Sequence, residues 1–497
     1  MGDIRDRGSL GSPLIAEEGL KGGADGGGHA GDLRTRICDE SKKLWHIVGP
    51  EVLCRISSST MNLVTQAFAG HLGDVELASF YIANNVIVGF NYGLLLGMAS
   101  ALETLCGQAF GARRYHMLGI YMQRSWIVLV LFSLLLLPVY MYATTILKFL
   151  GQADNVAEMA GHICLWLIPL HFSFAFLFPL QRFLQTQLKT APVAYVSLTG
   201  LAMHSVLSWV LVYRLKLGVV GLAIGLNVSW WCLVFGCFAY VAFGGCPSSW
   251  TGFSTEAFSS LWEFLTLSAA SGLMLCLENW YYRILILMSG SMSNAAVAVD
   301  ALSICLTANA WEMMIALAFF AGTGVRVANE LGAGRGDAAK FATQVSVTTS
   351  AIIGLFFAVL IMITREKFAW IFTSSQDVIE AVDQMSYLLS FTILLNSVQP
   401  ILSGVAVGCG WQARVAYVNL GCYYAVGLPL GVILGWVFDL GVKGIWGGMI
   451  FGGTAVQTVI LAVITGRSDW DKEAMKAKNH VRRWTIEPPA DDEAQLI

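Results

Sequence analysis

Charged side chains are scarce in this chain: they make up 13% of its 497 residues, against about a quarter in an ordinary soluble domain. A surface facing water would need more of them, so most of this one faces something apolar. Hydrophobic residues at 56% and a mean hydropathy of +0.64 point the same way. The net charge of −3 supplies no basic excess for a nucleic-acid partner. The eight histidines (His29, His46, His71, His116, His162, His171, His204, His480) show no metal-ligand spacing, and no paired-aspartate motif occurs. Gly322-Thr-Gly324 lacks the rest of a nucleotide-binding loop. Neither a metal site, a bound cofactor nor a membrane-embedded enzyme is therefore expected. The eleven cysteines lie mostly inside apolar runs, Cys106, Cys164, Cys232, Cys237, Cys276 and Cys305 among them. Without zinc spacing or a secreted-domain framework they read as small core residues. No signal-peptide pattern opens the chain. Residues 1–43 are polar, with seven glycines between 19 and 31, the composition of a disordered tail.

What the chain does have is a story told twice. Gly107-Gln-Ala-Phe-Gly-Ala-Arg-Arg114 lines up with Ala328-Asn-Glu-Leu-Gly-Ala-Gly-Arg335, Ala194-Tyr-Val196 with Ala416-Tyr-Val418, and Leu217-Gly-Val-Val-Gly-Leu222 with Leu440-Gly-Val-Lys-Gly-Ile445. The offset is about 220 residues throughout. A period of half the chain means two related lobes. Twelve apolar segments fall near 44–70, 76–99, 118–141, 157–180, 190–213, 219–243, 262–289, 297–323, 341–364, 379–408, 413–437 and 441–465. Each has the roughly 20 residues that span about 30 Å of hydrocarbon as a helix. No ten-residue alternation argues for a barrel instead.

The expected architecture is an all-α polytopic membrane protein with twelve transmembrane helices in two pseudo-symmetric six-helix lobes. The divisions are a disordered cytosolic tail (1–43), an N-lobe (44–243), a cytosolic linker (244–261), a C-lobe (262–465) and a C-terminal tail (466–497). An even number of spans puts both tails on one side, and together they carry thirteen Lys and Arg. Loops on that side add Arg113, Arg114, Arg182, Lys189, Arg326, Arg335, Lys340 and Arg414. Both termini are thus expected in the cytosol. The closing Asp492-Glu-Ala-Gln-Leu-Ile497 has the pattern of a membrane-protein sorting address.

Ionisable residues at membrane depth carry the chemistry. A central acid costs about 2.5–3.5 kcal/mol on insertion scales, so it persists where it faces a cavity or a partner. Glu278 lies mid-way along segment 7, Glu312 just past the middle of segment 8, and Asp300 nearer that segment's outer end. A carboxyl that binds a proton on one side and releases it on the other is a proton relay. Arg283, five residues from Glu278, stands about 140° away around a helix and is no local partner. Tyr281 and Tyr282, at three and four, share the face of Glu278 and are placed to bond its carboxyl. Asn309 precedes Glu312 by three. Glu103, just before an inner loop, reads as structural.

Other polar residues imply a wet interior: Asn62, Thr65 and Gln66 in segment 1, Asn84 and Asn85 in segment 2, Asn396 and Gln399 in segment 10. Trp280 and Trp311, close to the acids, suit an aromatic or cationic ligand. The expected substrate cavity gathers Asn396, Gln399, Tyr281, Tyr282 and Asn309. Prolines fall in or beside seven places in the spans, and Pro400, beside Asn396 and Gln399, is the expected hinge.

Together the duplicated halves, Gly107-Gln-Ala-Phe-Gly-Ala112, Cys276-Leu-Glu278, Val325-Arg-Val-Ala-Asn-Glu-Leu-Gly-Ala-Gly334 and Leu402-Ser-Gly-Val-Ala-Val-Gly-Cys-Gly-Trp-Gln412 resemble the plant branch of the multidrug and toxic compound extrusion (MATE) transporters over residues 40–470. The resemblance implies lobes set in a V, alternating access, and exchange of an organic solute for protons or sodium. It makes Glu278 the proton site. Many relatives have an Asp where Asn396 stands, and prokaryotic relatives an Asp near the place of Thr65. A second proton group is then expected at Glu312 or Asp300. Asp300-Ala-Leu-Ser-Ile-Cys305 and Trp311-Glu312 are similar to the subgroup of vacuolar flavonoid transporters.

The implied protein needs no cofactor beyond a proton gradient. It exports a small amphipathic organic solute from the cytosol, a flavonoid glycoside or phenolic in the first place. Efflux of organic cations, alkaloids or xenobiotics is the alternative, with a lipid flippase or passive channel behind. Its partners are the solute, protons and the lipid bilayer, with a monomer sufficient. The vacuolar membrane is favoured and the plasma membrane is the alternative.

Overall fold

A computed structural model describes residues 29–290 and 296–484. Among them there is no β-strand, because lipid offers no donor or acceptor and an apolar segment must satisfy its own backbone within a helix. The helices are α1 (His29–Leu72), α2 (Asp74–Gly111), α3 (His116–Met141), α4 (Asp154–Trp166 with Ile168–Thr186), α5 (Thr190–Arg214) and α6 (Gly218–Gly245). The second set is α7 (Leu261–Gly290), α8 (Ala296–Gly332), α9 (Gly336–Thr364), α10 (Gln376–Cys409), α11 (Gln412–Val437) and α12 (Gly441–Arg467). A final helix, α13 (Trp470–Trp484), follows. Ten of these are long and apolar enough to cross a membrane by themselves, and bent α4 makes an eleventh. With α1 this is the expected all-α, twelve-helix arrangement.

The duplication is visible in the packing. α1 packs on α5 as α7 packs on α11, and α2 packs on α4 as α8 packs on α10. Between the halves α2 meets α7, and α8 meets α1, the same pairing seen from either side. The inter-lobe segment 246–260 is held down: Ser249 Oγ donates to Gln187 Oε1 at 2.6 Å, and Gln123 both donates to Gly252 O and accepts from Ser254 N.

Bends have local causes. α4 turns by 51° at Leu167, two residues before Pro169, whose ring nitrogen has no hydrogen to give the preceding turn. α10 breaks at Ser397 and Val398, and Gln399-Pro400 begins its second piece. The hinge residue expected from the sequence therefore stands at the break.

One expectation is corrected. Residues 29–43 are not a disordered tail, because α1 already runs through them. Glu40, Leu44, Ile47, Val48 and Glu51 are all buried, and their spacing of three and four is one helix face. The polar composition hides a face that is occupied: Arg326 on α8 donates to both Glu40 oxygens, at 2.8 and 3.0 Å. Arg326 and Arg182, read as loop cations, are likewise buried within helices. Residues 1–28 and the Asp492–Ile497 pattern lie outside the described residues.

The lobes are closed on one another at the face where α1 begins and α13 lies. The seam is built from the duplicated motif meeting its own copy. A Cβ added to Gly111 would stand 2.8 Å from Asn329 C, and one added to Gly332 would stand 2.7 Å from Gln108 C. Gly332 is the repeat equivalent of Gly111 (332 − 111 = 221), and Asn329 that of Gln108 (329 − 108 = 221). The contact is thus reciprocal, as across a two-fold axis. Polar bonds cross the same line: Thr104 Oγ1 donates to Val407 O at 2.5 Å, Gln412 Nε2 to Thr104 Oγ1 at 2.7 Å, and Gln108 Nε2 to Gly408 O at 3.1 Å.

A backbone atom cannot swing away as a side-chain tip can. Gly111→Ala or Gly332→Ala is therefore expected to destabilise the closed seam by about 1–3 kcal/mol. Thr104→Cys in a chain without other cysteines should then react faster with a maleimide when either alanine is present. Unchanged labelling would mean that the glycines do not hold the lobes together.

Candidate functional site

The polar residues of the C-lobe converge where α10 is broken. Discontinuous helices inside a membrane free backbone and side-chain groups for a site. Asn396 ends the first piece of α10 and Gln399 begins the second, and both side chains are fully buried. Tyr282, on α7, donates its hydroxyl to Asn396 Oδ1 at 3.1 Å, with Thr454 Oγ1 of α12 at 3.4 Å. Asn396 Nδ2 in turn donates to Asn309 Oδ1 on α8 at 3.1 Å. Four helices are tied by this string of amides and hydroxyls, and every link is neutral.

The two acids flank it. Glu278 is half-buried on α7, and Gln399 meets its carboxyl. Glu312 is buried on α8 at 5% exposure, three residues beyond Asn309 and so on the same face. Among the described residues the Oε2 atoms of Glu278 and Glu312 and the Oε1 atom of Gln399 have no hydrogen-bond donor. Buried polar atoms normally have one. These three open acceptors, on α7, α8 and α10, mark the candidate site. Gln399 Nε2 also donates to Ser403 Oγ at 3.0 Å.

Two residues grouped with these from the sequence are not brought here. Tyr281 shares the helix face of Glu278, yet its hydroxyl donates to Met449 O at 2.6 Å and its ring stacks on Tyr423 at 4.4 Å. It is buried in the C-lobe core rather than lining a cavity. The physical reason is room: a Cβ on Gly453 would land 2.7 Å from Tyr281 Cζ, so glycine leaves a slot that the phenol fills. Asp300 is exposed and lies twelve residues along α8 from Glu312, about 18 Å at 1.5 Å per residue. Trp280 and Trp311 are exposed at 44% and 48%, and Trp280 stacks on Phe90 of the other lobe at 5.5 Å.

The N-lobe holds two clusters that the sequence left unassembled. Thr65 Oγ1 lies 2.9 Å from His204 Nε2, and His204 Nδ1 lies 3.2 Å from Ser229 Oγ, so three helices share one buried imidazole. Nearer the seam, Arg182 Nη1 pairs with buried Glu103 at 3.3 Å and donates to Gln185 Oε1 at 2.8 Å. Gln185 Nε2 donates to Glu51 Oε2 at 2.5 Å, and Glu51 pairs with Arg55 at 2.9 Å. The available signal was Glu103 and Arg182, of opposite sign and each in a mostly apolar stretch. Glu51 and Glu103 each lie beside an arginine, although neither Glu103 oxygen has a hydrogen-bond donor among the described residues, whereas neither Glu278 nor Glu312 joins an ion pair there.

Comparison with known proteins places this arrangement. The MatE family model matches residues 50–210 and 270–433. The chain is similar to Protein DETOXIFICATION 27 of Arabidopsis thaliana, 62% identical over 476 residues and 96% of each chain. It is also similar to Protein DETOXIFICATION 26 of the same plant, 60% identical over 92% of this chain and 93% of the relative. Among solved structures it resembles the eukaryotic MATE transporter AtDTX14, with a TM-score of 0.85 and 35% identity over 90% of this chain and 99% of that one. The Vibrio cholerae MATE transporter VcmN, in its bent form, shares the fold at a TM-score of 0.77 and 17% identity, over 91% of this chain and 100% of that one.

Removing a shared link in the string should cost more than removing a single bond outside it. Asn396→Leu strands the Asn309 side-chain carbonyl and leaves the Tyr282 hydroxyl only its longer contact with Thr454, and it is expected to lower stability by about 2–3 kcal/mol. Tyr281→Phe loses one bond and is expected to cost about 1 kcal/mol. Thermal unfolding of the purified variants in detergent orders the two, and equal shifts would show that the string contributes little.

Proposed function

The chain belongs to the MATE family of membrane transporters, and from that premise we propose that it is a proton-coupled antiporter that moves an amphipathic organic solute out of the cytosol by alternating access. As a member of that family it is a transporter and not an enzyme. The observation that carries the coupling is the pair of carboxyls, Glu278 and Glu312, with no cation beside them among the described residues, while buried Glu51 and Glu103 of the N-lobe each lie beside an arginine.

Glu278 is the proton carrier in this reading. Its carboxyl lies against Gln399 at the break in α10, so a change of charge there acts on the two pieces of the helix. Glu312 is the second group. The amide of Asn396 donates and accepts but cannot titrate, which assigns it to positioning through Tyr282 and Asn309. Asp300, exposed and remote, has no coupling role. The driving force is a proton gradient, with no cofactor. Each pH unit is worth about 1.4 kcal/mol, so two units support roughly hundredfold accumulation per proton.

Flavonoid glycosides or related phenolics are the favoured solutes, carried into the vacuole, with both termini cytosolic. Loop and tail cations on the terminal face support that orientation. Organic cations are the second reading, favoured by one observation: the open carboxyls lie in the same helices as exposed Trp280 and Trp311, the materials of a cation-binding wall. Under either reading the closed terminal seam makes this the state that faces away from the cytosol.

Liposomes with an imposed pH gradient, given flavonoid glycosides, alkaloids and citrate in turn, test this directly. One solute class is expected to discharge the gradient with the wild type. Glu278→Gln should reduce the rate at least about a hundredfold, Glu312→Gln should reduce it strongly, and Asp300→Asn should leave it near normal. Full activity of the Glu278 variant would remove the proton-carrier reading, and discharge by alkaloids alone would decide for the organic-cation reading.

A further inference from the structure

The helix α13 crosses the seam. Its first turn belongs to the C-lobe: Trp470 packs with Val327, Leu331, Ala339 and Val405, and Trp411 Nε1 donates to Glu473 Oε2 at 3.1 Å. Further along it reaches the N-lobe, where His480 Nδ1 lies 3.2 Å from Gln108 Oε1. Gln108 Nε2 already donates to Gly408 O, so the amide oxygen accepts and the imidazole N–H donates.

Beneath this bridge is a cavity of about 400 Å³ whose lining includes Gln108, Cys409, Arg414, Lys476, His480 and Arg483. Its charge is one-sided. Glu473, also in the lining, is engaged by Lys476 at 2.6 Å and by Trp411. Arg414 from α11 and Arg483 from α13 remain, and neither pairs with a carboxylate among the described residues. Burial and the Arg483 guanidinium hold the His480 imidazole below its usual value, against a smaller opposite pull from Glu263. Basic residues in a last turn also complement the helix dipole. That role does not explain why a guanidinium from a second helix lines the same cavity.

We propose that this cavity binds a phosphate-bearing anion, which joins Arg414 and Arg483 beside Gln108 and so fastens α13 across the closed seam. Guanidinium groups match phosphate oxygens in forked, charge-assisted bonds, and the volume suits a phosphorylated headgroup or small soluble phosphate. Binding favours the state in which the lobes are closed at this face, because Gln108 reaches the cavity through the seam. The site is separate from Glu278 and independent of which solute is carried.

The test uses the full chain in detergent, titrated with inorganic pyrophosphate by calorimetry. Arg414→Ala/Arg483→Ala is expected to weaken binding at least about tenfold. Lys472→Ala, an exposed cation on the same helix, should leave it unchanged. In the chain with native Arg414 and Arg483, carrying only Cys38→Ser, pyrophosphate should slow maleimide labelling of half-buried Cys409. Nanodiscs with and without phosphatidylinositol 4-phosphate, free of soluble phosphate, separate the sources: stabilisation by that lipid, lost in the double variant, assigns a headgroup, and stabilisation by pyrophosphate alone assigns a soluble anion. Equal binding by wild type and double variant, unprotected Cys409, or no effect of either anion would overturn the proposal.

Discussion

Backbone-to-backbone approach between the two lobes is the constraint on which the rest depends. Gly111 lies against Asn329, and Gly332 lies against Gln108, with no space for a single added carbon. That closeness brings Thr104 within reach of Val407 and Gln412 and Arg326 within reach of Glu40. Burial of these charges is sustained by pairing: Arg326 also holds Glu330 at 2.7 Å, and Arg335 holds the other oxygen of Glu330 at 2.7 Å. A buried charge left alone would be strongly unfavourable. The seam therefore works as a unit, in which glycines set the distance and polar groups reward it.

The C-lobe interior follows a different logic. Its string from Thr454 through Tyr282 and Asn396 to Asn309 is neutral, which lets it fix four helices at little electrostatic cost. The two carboxyls stand beside that string without being absorbed by it. A neutral frame with open acceptors at its margin supports the proposed coupling role, since a fully paired acid would have no remaining capacity for a ligand. The break in α10 belongs to the same design, placing Asn396 and Gln399 on separate helical pieces.

Much of this was legible in the residues. Apolar runs of spanning length announced the helices, the offset motifs announced the two lobes, and Glu278 and Glu312 stood out as acids in apolar surroundings. Less legible was anything that depends on what lies opposite. The polar stretch before residue 44 looked loose because composition does not show that Arg326 waits for Glu40. Arg182 looked like a loop cation because its partner, Glu103, is in a different helix. Helical spacing put Tyr281 beside Glu278, and only the slot left by Gly453 turned it into the core. His204 gave no signal by itself, since its partners Thr65 and Ser229 lie on other helices.

The sequence by itself determined that the chain is helical, membrane-spanning and duplicated, because hydropathy, length and periodicity act locally and repeat wherever the residues do. Tertiary structure alone decided which acids are engaged and which remain open, and that the duplicated motif would meet its own copy at a seam bridged by α13. Those outcomes rest on contacts between residues as far apart as Glu40 and Arg326, or Gln108 and His480. Such contacts exist only once the helices have packed, and no local pattern encodes them.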